Sequence, residues 1–179
     1  PIMSSGNFAV VFKMTDGKKN YAINCFIKDQ EGRTEAYKQI ADELEFVSMP
    51  FLCQIKYYER ELFVDAKNST ETEFPVLMMD WVEGITLDAY LLQNLHDEYA
   101  LQSLAYQFCR LGQWLLTQPF AHGDLKPDNI LVQDDGSLVL VDYDGMYVPS
   151  MQGQRCREIG SPNYRHPMRN DDIFNEHID

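Results

Sequence analysis

The chain has 179 residues, enough for one domain to bury a core, and 45% of them are hydrophobic, including ten Phe and ten Tyr; this composition excludes a disordered chain. Asp and Glu total 28 against 15 Lys and Arg, a net charge of −13 that opposes contact with nucleic-acid phosphates or anionic lipid and reads as a solvated acidic surface. No apolar run approaches the roughly 18 to 20 residues of a membrane span, and no charged-then-apolar leader opens the chain, so no membrane contact by this segment and a cytoplasmic setting are expected.

In chain order, residues 8–14 and 21–27 are rich in Val, Ile, Phe and Ala, and Asp16-Gly17 between them marks a hairpin. A helical pattern follows, with Tyr37, Ile40, Ala41, Leu44 and Val47 at the spacing of one buried face. Two further strand candidates, 53–58 and 76–81, flank a polar segment at 65–73 that reads as an exposed loop. Asp97 is placed to cap a second helix whose apolar stripe is Leu101, Leu104, Ala105, Phe108, Leu111 and Leu115. Cys25, Cys53, Cys109 and Cys156 lie far apart with no C-x-x-C pair, which gives a zinc site little support. Cys25 and Cys109 fall in apolar runs and are expected to be buried small hydrophobes in a reducing compartment.

The second helix leads to Ala121-His122-Gly123-Asp124-Leu125-Lys126-Pro127-Asp128-Asn129. Asp142 follows thirteen residues after Asn129, in Val-Asp-Tyr-Asp-Gly. Two apolar runs, 130–132 and 138–141, flank a hairpin turn at Asp134-Asp135-Gly136. Turn residues alone would make such a string an ordinary surface loop. Its length and its position between a helix and a hairpin point instead to phosphoryl transfer. That reaction needs a carboxylate to orient a hydroxyl and take its proton, and oxygen ligands that hold Mg²⁺ on the phosphates of ATP. Asp124 suits the first role. Asn129 and Asp142 suit the second, because Mg²⁺ keeps several waters and borrows the rest of its shell from phosphate, so one amide and one carboxylate are enough.

These residues resemble the protein kinase family, whose catalytic loop reads His-Arg-Asp-Leu-Lys-Pro-x-Asn before an Asp-Phe-Gly magnesium motif. Gly123 stands where the family has Arg, and Asp142-Tyr143-Asp144-Gly145 carries Tyr for Phe and Asp for Gly. The resemblance implies an α+β, two-lobe fold. A small antiparallel-sheet N-terminal lobe with one helix would span 1–82, and a partial, mainly helical C-terminal lobe 83–179. It also implies that Lys126 neutralises charge on the transferred phosphate, as in the Ser/Thr-type members.

By the same resemblance, Ser4-Ser5-Gly6-Asn7-Phe8-Ala9-Val10-Val11 is similar to the glycine-rich loop over the phosphates, with only Gly6 of its three glycines; Ser4, Ala9 and Val11 take the other matching positions. Tyr21-Ala22-Ile23-Asn24 is similar to Val-Ala-Ile-Lys and places Asn24 where the phosphate-bridging Lys belongs. Lys13 is the nearest conjectural substitute. The Glu that pairs with that Lys falls near Ile40, with Glu43 one turn along. Met79-Asp80-Trp81-Val82 resembles the inter-lobe linker, with Met79 as gatekeeper and the backbone of Asp80 and Val82 on the adenine edge. Gly160-Ser161-Pro162-Asn163-Tyr164-Arg165-His166-Pro167 resembles the end of the activation segment, and Asp179 the Asp that bonds the catalytic-loop backbone.

Without Arg at 123, a phosphate on the activation segment loses an anchor, so activity is not expected to depend on phosphorylation of Ser150 or Ser161. Two functions are compatible with this pattern. One is a Ser/Thr protein kinase acting with ATP and Mg²⁺ on a protein substrate. The other is a pseudokinase scaffold or regulator with weak or no nucleotide binding, because Asn24 replaces the clamping Lys. A small-molecule kinase on the same architecture is a third possibility that the Lys126-Pro127 and 160–167 runs favour less.

Overall fold

The computed structural model describes residues 3–5, 9–26, 32–65 and 73–179. The chain divides into two compact units, Pro1–Val47 with Gln54–Trp81, and Ser48–Cys53 with Val82–Asp179.

The first unit is a five-stranded antiparallel sheet in the order β1-β2-β3-β5-β4, made of β1 (Met3–Ser5), β2 (Ala9–Thr15), β3 (Asn20–Phe26), β4 (Ile55–Phe63) and β5 (Glu73–Asp80). Asp16 makes the β2–β3 turn, since its Oδ1 accepts the amides of Lys18 and Lys19 at 2.8 and 2.7 Å. Helix α1 (Arg33–Leu44) buries Ala36, Tyr37, Ile40, Ala41 and Leu44, the face expected from their spacing. Val47 lies past the helix end, where its amide closes a turn on the Leu44 carbonyl at 3.1 Å. Leu77, Ile40 and Ile55 form the centre of this core, and full burial of each such side chain contributes roughly 1.5–3 kcal/mol. Strand β1 overlaps the stretch read as a glycine-rich-like loop at Ser4 and Ser5, and most of the expected 65–73 loop lies outside the described residues.

The second unit starts from Ser48–Cys53, which the sequence reading placed with the first. Its attachments are backbone and ring contacts: Leu140 N–H donates to Phe51 O at 2.8 Å, and Phe51 meets Trp114 with ring centroids 5.4 Å apart. Strand β6 (Ile85–Thr86) runs into the unanticipated short helix α2 (Leu87–Gln93) and joins β7 (Ile130–Val132) and β8 (Leu138–Leu140) in a three-stranded sheet.

Helix α3 (Glu98–Leu115) begins at Asp97, whose Oδ1 accepts the Ala100 amide at 3.0 Å. Its buried residues are Leu104, Leu111 and Leu115. Ala105 and Phe108, expected in the core, are exposed, as is Cys109. The apolar stripe read from spacing is wider than the fully buried face, which is the Leu104, Leu111 and Leu115 row, with Leu101 half-buried. Cys25 is half-buried, its thiol pKa raised by that burial, while Cys53 and Cys156 are buried; none of the four is in a disulfide. Beyond β8 the chain forms turns and one short 3₁₀ helix (Pro149–Met151) around Tyr143, Met146, Val148 and Met151, all fully buried. Among the described residues no helix is long and apolar enough to cross a membrane.

Candidate active site

In the second unit, α3 delivers the chain to Ala121, which exchanges two backbone hydrogen bonds with Tyr147 at 3.1 and 2.9 Å. His122 is wholly buried. Its Nδ1 accepts the Asp124 amide at 3.4 Å, so the ring proton sits on Nε2 and is donated to Val141 O at 3.0 Å. The 3₁₀ turn Pro127–Asn129 follows, with Pro at the position where a missing N–H does no harm.

Asp124 is the hub. Oδ2 pairs with Lys126 Nζ at 3.0 Å and accepts Asn129 Nδ2 at 3.3 Å, while Oδ1 accepts the Ser161 amide at 2.7 Å. Burial pushes the Asp124 carboxyl pKa up, but the Lys126 ammonium and the Ser161 donor outweigh it and hold the pKa below the usual carboxylate value. The hydrogen bond to Asp124 raises Lys126 in turn, with the negative charge of Asp142 adding to it. Asp124, Lys126 and Asn129 are therefore brought together, and Asp142 is near enough to act on Lys126 through its charge.

Asn129 is buried and spends its amide N–H₂ on Asp124, donating also to the Asp124 carbonyl at 3.0 Å; its Oδ1 stays an acceptor. Asp142 is exposed, has φ of +65°, and its carboxylate accepts no hydrogen bond from the described residues. A non-glycine residue held in that region is the kind of backbone strain that clusters at functional sites. One amide oxygen and one open carboxylate suit a hard cation that takes oxygen ligands. Among the described residues no three His, Cys, Asp or Glu side chains stand together as a self-sufficient metal cage, so a cation here would complete its shell from phosphate and water.

Tyr143, in the family's Phe position, is buried and hydrogen-bonded. It accepts the Cys53 amide at 3.0 Å and donates to Leu140 O at 3.1 Å, with Cys53 Sγ 3.3 Å away. Its ring meets His122 edge-on. Asp179 holds the loop from outside, with Oδ2 on the His122 amide at 2.6 Å and Oδ1 on the Gly123 amide at 2.7 Å, the contact its position suggested. Gly123 has φ of +83°, and a Cβ there would collide with the Gly145 carbonyl, so the missing Arg is a steric necessity of this backbone. Arg169, which no sequence signal marked, reaches Gly123 O from the far side.

In the first unit, strand register gathers the residues read as nucleotide-binding. Val11 lies opposite Asn24, and Ala22 opposite Met79; because alternate strand residues share a face, all four occupy one face of the sheet. Ser4 pairs with Val11, extending the Val11–Asn24 row, and Ala9 pairs with Phe26 in the next row; Gly6 lies outside the described residues. Asn24 Nδ2 donates to the sulfur of Met79 at 3.6 Å. Lys13, opposite Ala22, lies one row from Asn24 on the same face and holds its Nζ 4.3 Å over the Trp81 ring. Ile40 is buried in the core, and Glu43 makes no ion pair among the described residues. Asp80 donates its amide to Gln54 O at 3.0 Å and pairs its carboxylate with Lys19, leaving no free N–H there for a base edge. Val82 is half-buried at the start of the second unit's main segment.

Residues 2–170 match the protein kinase domain family, so the chain belongs to the protein kinase family and its two units are those of a kinase-like fold. It is 28% identical over 99% of its length to Protein kinase C-like 1 of Caenorhabditis elegans. It is also 27% identical over 79% to Serine/threonine-protein kinase AtPK2/AtPK19 of Arabidopsis thaliana, and 30% identical over 73% to MAP kinase kinase MKK1/SSP32 of Saccharomyces cerevisiae. These alignments cover 25%, 29% and 26% of the three relatives, so the chain spans roughly a quarter of their length.

Proposed function

We propose that the chain transfers the γ-phosphate of ATP to Ser or Thr hydroxyls of a protein substrate. The observation that carries this is Asp124, a carboxylate held ionised by an ammonium, a backbone amide and a side-chain amide. Asp124 orients the incoming hydroxyl and accepts its proton, and Lys126 neutralises charge on the group being transferred. Asn129 Oδ1 and the Asp142 carboxylate would hold Mg²⁺. A cation held there would supply positive charge to offset that of the nucleotide's phosphates. By resemblance to the family, Ser4, Gly6, Ala9, Val11, Ala22, Asn24, Met79, Asp80 and Val82 are the candidate nucleotide-binding residues.

A second reading, a pseudokinase that acts as a scaffold, is favoured by one observation: among the described residues the Asn24 side chain bonds only a thioether, and it offers phosphate no charge. Labelled γ-phosphate transfer from Mg·ATP to the chain itself and to a generic Ser/Thr substrate decides between them. Transfer that disappears in Asp124→Asn supports the kinase. A folded protein inactive until Asn24→Lys is introduced, or inactive even then, supports the scaffold.

A further inference from the structure

Arg169 is a buried cation with an unusual set of partners. It is 8% exposed, and its guanidinium donates only to backbone carbonyls among its hydrogen bonds to oxygen: Nη1 to Gly123 O at 2.5 Å and Ile178 O at 3.4 Å, and Nη2 to Glu158 O at 3.3 Å. Those three carbonyls belong to the loop that presents Asp124, the segment that leads to Ser161, and the residue before Asp179. Burying a guanidinium is costly unless its donors are used, and here both Nη nitrogens are used on carbonyls from three separate places in the chain while the buried Nε finds no hydrogen-bond partner among the described residues.

The surrounding glycines are shaped to admit it. Gly160 has φ of +76°, and a Cβ there would stand 2.9 Å from Gly123 O and 3.2 Å from Arg169 Nη1. Gly123 has no space for a side chain of its own. Gly123 is thus gripped on both sides, its N–H by Asp179 and its carbonyl by Arg169. The same guanidinium fixes the 158–161 segment, whose Ser161 amide bonds Asp124.

We propose that Arg169 is the positioning residue that locks the Asp124 loop to the 158–161 segment, so that the segment is ordered by a buried side chain of its own and needs no phosphate to order it. The proposal rests on the phosphotransfer reading of Asp124, through which Arg169 acts. A fork of donors spanning three carbonyls cannot be replaced by a single ammonium, so Lys is a partial substitute and Met none.

The test uses the full chain with Arg169→Met and Arg169→Lys. Amide hydrogen exchange is read at 122–124 and 158–161, with α3 as the internal reference. Expected is a joint loss of protection of about tenfold or more at both segments in Arg169→Met, a smaller joint loss in Arg169→Lys, and no change in α3. In transfer assays kcat falls about 10²-fold in Arg169→Met, the scale of a small misplacement of a catalytic group, while KM for ATP stays within about twofold; Arg169→Lys recovers part of kcat. Loss at only one segment, equal loss in α3, or unchanged exchange overturns the proposal, and so does a kcat in Arg169→Met equal to that of the unmodified chain. If Arg169→Met does not fold, Arg169→Lys decides by the same criteria. Should the unmodified chain transfer no phosphate, the phosphotransfer reading falls while the exchange measurement still decides the role of Arg169.

Discussion

The Ser161 amide donates a 2.7 Å hydrogen bond to Asp124 Oδ1 across 37 residues of chain, while the other carboxylate oxygen faces Lys126 and Asn129. Both oxygens are fixed before any substrate arrives. Replacing Asp124 by Asn removes the proton acceptor and leaves Lys126 without its ion-pair partner. Transfer measured in a single turnover should fall about 10²- to 10⁴-fold, the usual contribution of a general base, with the circular dichroism spectrum unchanged.

Asn24→Lys adds a cation on the sheet face beside Met79, in place of the weak bond to sulfur. A charge-assisted bond to phosphate is stronger than a neutral one, and about 1.4 kcal/mol of extra binding is tenfold. KM for Mg·ATP should fall about tenfold, and the thermal shift produced by saturating nucleotide should increase. An unchanged KM would mean that position 24 does not meet the phosphates.

The Asp124–Lys126 pair sets a pH window. The Asp124 pKa is lowered on folding, so its contribution to stability is present above the unfolded value of about 3.9 and is lost as pH falls through the still lower folded value. The Lys126 pKa is raised, so its contribution is full below about 10.4 and is lost as pH rises through the higher folded value. Between these limits the pair adds no slope to stability. Urea titrations of the unmodified chain and Asp124→Asn should differ by a constant amount from pH 5 to 9 and converge in acid.

Tyr143→Phe keeps the ring and deletes the hydroxyl, leaving the Cys53 amide and the Leu140 carbonyl without that partner. An unsatisfied buried donor costs about 1–3 kcal/mol. Denaturant midpoints should report that loss. If the restraint also aims Asp142, kcat should fall as well, although Tyr143 touches no reacting atom.

Gly123→Ala should be among the most damaging small substitutions in the chain. It combines a positive φ, which costs a non-glycine residue about 1–3 kcal/mol, with a collision on the Gly145 carbonyl. A melting temperature lowered by several degrees or a failure to express folded protein is expected; an unperturbed melt would mean that the two backbones can separate.

What the sequence disclosed, and what it hid, follows the range of the interactions. The string from His122 to Asn129 was legible because its chemistry is written in adjacent residues, and the Asp97 cap, the Asp16 turn and the β7–β8 hairpin because local bonding makes them. Arg169 was invisible: its partner Gly123 lies 46 residues away, and a guanidinium bonded to carbonyls leaves no pattern in residue types. Tyr143 was noted as a departure from Phe, but its meaning depends on Cys53, 90 residues earlier. Ala105, Phe108 and Cys109 misled because helical spacing reveals an apolar stripe without revealing how much of it is covered. Short α2 lacked the length for its period to stand out, and Asn24 gave its identity but not the sulfur it would face.

The crossing of Gly123 and Gly145 is asymmetric. A Cβ on Gly123 would run into the Gly145 carbonyl, whereas one on Gly145 would stand 3.4 Å from its nearest neighbour, the Gly123 carbonyl carbon, an ordinary contact distance. Within the segment that carries Asp124, Lys126 and Asn129, position 123 is therefore sorted by volume and the other three by chemistry. In a library randomised over 121–129, hydropathy would be no guide at 123, where the smallest apolar replacement is excluded along with the largest charged one, while position 145 across the same contact would admit alanine.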